Sequence, residues 1–94
     1  MNKRQELEKY SDFEAVNKKA KRLLGVGVEV STRANKKYQI QTPDGKIVHF
    51  GLWGSEDWTK HRDPVRRKNF KTRNGEWSVS KKWTPGWLSY FLLW

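Results

Sequence analysis

Apolar and polar residues alternate along this chain with two different periods, and the switch between them outlines the fold. Phe13, Val16, Ala20 and Leu23/Leu24 recur at the spacing of one helical face, which predicts an amphipathic helix over residues 11–24. Ser11 is the expected N-cap, with Glu14 three residues on at the capping-box spacing. Lys18, Lys19, Lys21 and Arg22 crowd the end where the helix dipole favours cations, and Gly25 is placed to close it. The period then drops to two. Val26, Val28 and Val30 alternate with Gly27, Glu29 and Ser31, and Tyr38 and Ile40 alternate with Gln39 and Gln41. These patterns predict strands over 26–31 and 37–42, each with one wet face. Pro43-Asp44-Gly45 is a turn signal, and 46–50 returns as a third strand.

Residues 51–57 read as a loop, in which Gly51 and Gly54 permit a tight bend. Asp63-Pro64 opens a second helix, Asp63 as N-cap and Pro64 at the first helical position, running to about Arg73 and ended by Asn74-Gly75. Its expected inward residues are Val65, Asn69 and Phe70. Residues 76–83 read as irregular, with an extended reach at Trp77-Ser78-Val79. Thr84-Pro85 opens a last helix on which Trp87, Phe91 and Trp94 share a face, flanked by Leu88 and Leu92. The resulting expectation is an α+β fold: a small three-stranded antiparallel meander packed by an N-terminal helix and two C-terminal helices. Residues 1–10 are expected as a polar tail or frayed helix, and 11–94 as one domain.

Composition narrows this picture. Ninety-four residues make one domain at most, with a small core. All six Trp lie at or beyond residue 53, so the second half is expected to carry the core, an interface or both. The absence of Cys excludes disulfides and thiolate metal sites and suits an intracellular or redox-indifferent life. A net charge of +10 and a pI near 10.1 favour acidic partners: nucleic acid, an acidic protein surface or an anionic membrane. No apolar run approaches the roughly 20 residues of a membrane helix. The basic N-terminus lacks the apolar stretch of a secretory signal, and Glu6, Glu8, Asp12 and Glu14 argue against a mitochondrial presequence.

The densest chemistry lies in residues 49–74, which hold both histidines, two tryptophans and seven of the twenty Lys/Arg residues. Aromatic rings among cations suit a polyanion, because the cations meet phosphates or carboxylates while the rings stack. The plainer reading is a half-buried aromatic core beside a solvated basic helix. Lys60, Arg62, Arg66, Arg67, Lys68, Lys71 and Arg73 are the candidate residues for binding nucleic acid or an acidic partner. Trp53, Trp58, Trp87 and Trp94 are candidate interface aromatics. For the C-terminal stripe the alternative is core, favoured because an uncovered stripe so apolar is an aggregation hazard.

His49, Asp57, His61 and Asp63 could converge as a metal or acid–base site. No HExxH, CxxC or HNH-like pattern supports this, and Asp57 and Asp63 read as caps of turns and helices. The histidines are therefore expected to be structural, with no metal and no cofactor. Gly51-Leu52-Trp53-Gly54 lacks the spacing of a phosphate loop. No helix-turn-helix, RNP or dsRNA-binding pattern is present.

A resemblance runs from Lys36-Lys37-Tyr38 through Pro43-Asp44-Gly45-Lys46, Val48-His49-Phe50-Gly51 and Gly54. It continues with Asp57-Trp58-Thr59, His61, Asp63, Arg66-Arg67, Phe70, Arg73 and Trp77, and with the ending Gly86-Trp87-Leu88-Ser89-Tyr90-Phe91-Leu92-Leu93-Trp94. Over residues 36–94 the chain resembles a family of small basic proteins of large DNA viruses of algae and amoebae, with members in some large phages. It departs from that pattern at Asn74, where a histidine is expected, and at Trp58, where tyrosine is. The resemblance implies a viral origin and a virion-associated or DNA-proximal role, and supplies no catalytic residues.

The combined expectation is a non-enzymatic viral structural or accessory protein. It would bind an acidic surface, capsid protein or packaged nucleic acid, through its second helix, in the virion or the host-cell interior. The alternative is a nucleic-acid-binding protein acting in infected cells, a nuclease component among its forms.

Overall fold

The computed structural model describes residues 2–94. Helices α1 (Lys3–Leu7) and α2 (Phe13–Leu24) precede three strands, β1 (Glu29–Val30), β2 (Lys36–Gln41) and β3 (Ile47–Leu52). Helices α3 (Trp58–His61) and α4 (Pro64–Arg73) follow, then a 3₁₀ turn (Gly75–Val79), helix α5 (Pro85–Leu88) and a π-helical turn (Ser89–Leu93). The sheet is an antiparallel meander in the order β1-β2-β3, and the fold is α+β.

The core gathers Leu7, Val16, Ala20, Val28, Tyr38, Ile40, Phe50, Leu88, Leu92 and Leu93. The two N-terminal helices, the sheet and the C-terminal turn supply it, whereas α4 buries no residue fully. The segment expected as a polar tail or frayed helix is α1. Asn2 caps it through a full capping box with Gln5, and its single apolar residue, Leu7, is fully buried. Lys3 then ties α1 to the β1–β2 connection, donating to the backbone oxygens of Ser31 and Arg33.

Several local expectations hold and others shift for identifiable reasons. Gly25 closes α2 in the left-handed conformation, and the turn at Pro43-Asp44-Gly45 joins β2 to β3. The N-cap of α2 is Asp12, which accepts from the Ala15 N–H, because the Ser11 hydroxyl is taken up inside the core. β1 shrinks to two residues, and Val26 is left exposed beyond its pairing with β2. α4 begins at Pro64 with Asp63 accepting from the Val65 and Arg66 N–H groups. Its inward face is different from the one expected. Val65 is 66% exposed and Asn69 is exposed as well, while Phe70 and Arg67 are half-buried. Trp77-Ser78-Val79 forms part of the 3₁₀ turn and is not extended.

The largest correction is at the C-terminus. Leu88, Leu92 and Leu93 are buried, and Trp87, Phe91 and Trp94 are only half-buried. The assumed 3.6-residue period fails after Leu88, where the chain widens into a π-turn. In that wider turn, positions four and five apart come onto the face of Leu88, and the leucines reach the sheet.

Gly51 makes that approach feasible. It lies within β3, not in the loop, at φ +83°, and a Cβ there would sit 3.0 Å from Leu93 Cδ1 and 3.1 Å from Lys37 Cβ.

Candidate functional site

Beneath the surface, a polar network links the connection between α1 and α2 to β2 and α3. Lys37 and Asp57 form an ion pair at 3.1 Å, with side chains only 2% and 1% exposed. Asp57 also caps α3, accepting from the backbone N–H and the hydroxyl of Thr59. Its own N–H donates to the Tyr10 carbonyl at 3.0 Å. The Thr59 hydroxyl accepts from the Asp12 N–H and lies 3.2 Å from Ser11 Oγ, which accepts from the Tyr38 hydroxyl at 2.6 Å. Burial lowers the Lys37 amine below its ordinary value, against the pull of Asp57, and pushes the Tyr38 phenol up. A lysine inside the molecule was not foreseen. The alternation that puts Tyr38 and Ile40 in the core left Lys37 on a nominally wet face.

Above this network the cations of α3 and α4 gather. The guanidinium groups of Arg62 and Arg67 both lie against the Trp58 ring, at 5.7 and 4.6 Å. Arg67 also donates to the main-chain oxygen of Trp94 at 2.8 Å. One turn along α4, Lys71 lies over the Tyr90 ring at 4.8 Å. Burial, then the charges of Arg67, Arg62 and Lys71, lowers the Lys19 amine, which brings α2 into the same electrostatic neighbourhood. Burial, then Arg67, lowers Lys71. Among the described residues none of Lys19, Arg62, Arg67 and Lys71 is ion-paired with an Asp or Glu side chain.

The seven candidate cations thus divide. Arg62, Arg67 and Lys71 converge with Lys19, which the sequence reading missed because nothing in it relates the face of α2 to α4. Arg66 pairs with Glu56 at 3.3 Å. Lys60, Lys68 and Arg73 are exposed. Arg73 lines a cleft of about 670 Å³ formed by β2, β3, α4 and α5.

The four tryptophans singled out as interface residues are all half-buried and each has an aromatic partner within the molecule. Trp53 meets Tyr10 edge-on at 5.4 Å, and Trp58 meets His61 at 6.3 Å. Trp87 packs on Phe91 at 4.8 Å, and Trp94 stacks on Phe70 at 4.2 Å, 5° from parallel.

Among the described residues no three His, Asp or Glu side chains come together. His49 Nδ1 lies 2.7 Å from Ser31 Oγ, and His61 Nδ1 accepts from the Asp63 N–H at 2.9 Å. That bond puts the His61 proton on Nε2, which is buried without a hydrogen-bond partner among the described residues. The pKa of each is lowered, first by burial; Arg33 and other cations add to this at His49, and Arg66 at His61. Both rings are therefore neutral in the fold and take up protons more readily once unfolded. Stability should be fully present above the ordinary histidine pKa of 6.5 and fall as pH drops through the lowered folded values. Melting points measured from about pH 8 to pH 5 should decline, and His61→Gln should flatten the decline. A pH-independent wild type would contradict the neutral assignment.

No curated protein and no solved structure matches the chain. A family model matches residues 26–74, just over half of the chain, and spans all three strands, the Lys37–Asp57 pair and the cations of α3 and α4. The chain belongs to that family, a protein family of unknown function (DUF5754).

Proposed function

We propose that the protein is a non-enzymatic accessory protein that binds the phosphates of nucleic acid through the face built by Lys19, Arg62, Arg67 and Lys71. The observation that carries this reading is the convergence of four cations from α2, α4 and the end of α3, none of them paired with an Asp or Glu side chain among the described residues. Repulsion among them costs stability, and a phosphate bound between them offsets it. Trp58 and Tyr90 hold three of the four in place, so less side-chain entropy is lost on binding. Nucleic acid is favoured over an acidic protein because the rings of Trp58 and Tyr90 stand among the cations, and aromatic rings beside cations suit bases beside phosphates. With the resemblance to proteins of large DNA viruses, the nucleic acid would be the packaged genome and the protein a virion component. Mass spectrometry of purified particles tests that part: absence from particles would favour action in infected cells.

Binding to duplex DNA should weaken with salt at a slope of about −0.9 in log K against log salt for each phosphate engaged. Lys19→Gln, Arg62→Gln and Lys71→Gln together should flatten that slope by about two to three and, with the repulsion relieved, should not lower the melting point. Titration of labelled duplex across a salt series reads the slope. An unchanged slope would remove this face from the reading, and tight binding to an acidic protein with none to DNA would replace the ligand.

A further inference from the structure

The cleft of about 670 Å³ lies on the other flank of α4 from Lys71 and is within the ordinary size of a ligand site. Its walls are unlike the cation face. Phe70, Trp77 and Trp94 line one side, and Leu52, 62% exposed, lines the other. The Trp77 indole lies flat on the backbone of Gly86, where a Cβ would come within 3.0 Å of the ring. Two of the four cations at the cleft are already neutralised: Lys37 pairs with Asp57, and Arg66 with Glu56. Lys36 and Arg73 have no carboxylate partner among the described residues. The cleft therefore offers an aromatic and aliphatic slot with two uncompensated positive charges. That is the chemistry of a planar, uncharged ring flanked by phosphates.

We propose that the cleft seats one unpaired base of a single-stranded nucleic acid, with Lys36 and Arg73 holding the neighbouring phosphates. This rests on the reading of α4 as a phosphate-binding element and adds to it a preference for single strands. A paired base cannot enter, because its ring edge is engaged and its faces are stacked. The contribution of an unpaired base stacked on aromatic side chains is sequence-tolerant, since every base has a π-face.

The test compares three labelled probes of equal length: single-stranded DNA, its abasic counterpart with the same phosphates, and duplex. Wild type should bind the single strand roughly five- to a hundred-fold more tightly than the abasic strand, the range that stacking of one base provides. Ser55 is exposed and lines the cleft, so Ser55→Trp should fill the slot from outside the core. That variant should bind the single strand no better than the abasic one, with duplex binding and melting point unchanged. Arg73→Gln should weaken the single strand more than the duplex. Equal binding of single and abasic strands by wild type would overturn the cleft proposal and leave the phosphate face standing, as would an unaltered Ser55→Trp. Failure to bind any of the three probes would overturn both.

Discussion

Asp57→Asn is expected to destabilise the protein by about 3–5 kcal/mol, the cost of breaking a buried ion pair by removing one partner. The side chain keeps an oxygen for the Thr59 N–H, so the cap of α3 can persist while the charge opposite Lys37 disappears. Lys37 is then a buried ammonium. Burial already lowers its pKa, and Asp57 supplies the larger share of what opposes that shift. A domain of this size has only roughly 5–15 kcal/mol in total, so the variant should be partly unfolded at room temperature. Lys37→Met should cost a similar amount by stranding the carboxylate. The two together should be far less harmful than their sum, because neither charge is left buried alone. Urea unfolding of the wild type, both single variants and the double variant closes the cycle. Additive costs would mean that the pair contributes nothing as a pair.

That pair also marks the limit of what the sequence discloses. The meander was legible because Tyr38 and Ile40 alternate with polar residues and Pro43-Asp44-Gly45 fixes the hairpin. α4 was legible because Asp63-Pro64 leaves little freedom about where a helix starts. Lys37 was not. A lysine next to an inward-facing strand position ordinarily faces water, and only Asp57, twenty residues away and held by a four-residue helix, makes its burial tolerable. The cations of α4 were found as a run but sorted wrongly. Helical periodicity assigned Val65 and Asn69 inward, whereas Arg67 is the residue that turns in, drawn by the Trp58 ring and the Trp94 oxygen. Long side chains with apolar stems cover aromatic surface well, and hydropathy takes no account of it. Lys19 reads in the sequence only as a cation favoured by the dipole of its own helix, since its place beside Lys71 depends on the packing of α2 against the turn at 89–93 that carries Tyr90.

Leu92→Ala should cost about 2–5 kcal/mol, and Phe91→Ala markedly less, although phenylalanine is the larger side chain. The difference comes from the π-turn at 89–93. An α-helix carried on from Pro85 would group Trp87, Phe91 and Trp94 on one face. The wider turn instead brings Leu93 round beside Leu92 onto the face of Leu88, where all three are at most 1% exposed. Phe91 is half-buried and packs between Trp87 and Tyr90, so truncating it removes ring contacts but opens no sealed cavity. Leu92 has no exposed side from which the space could refill with water, and a close-packed interior collapses only partly around a missing side chain. Thermal and urea unfolding of the two variants side by side decides the matter. A Phe91→Ala loss equal to or larger than that of Leu92→Ala would mean that the terminal turn buries its aromatic stripe, as an unbroken α-helix would.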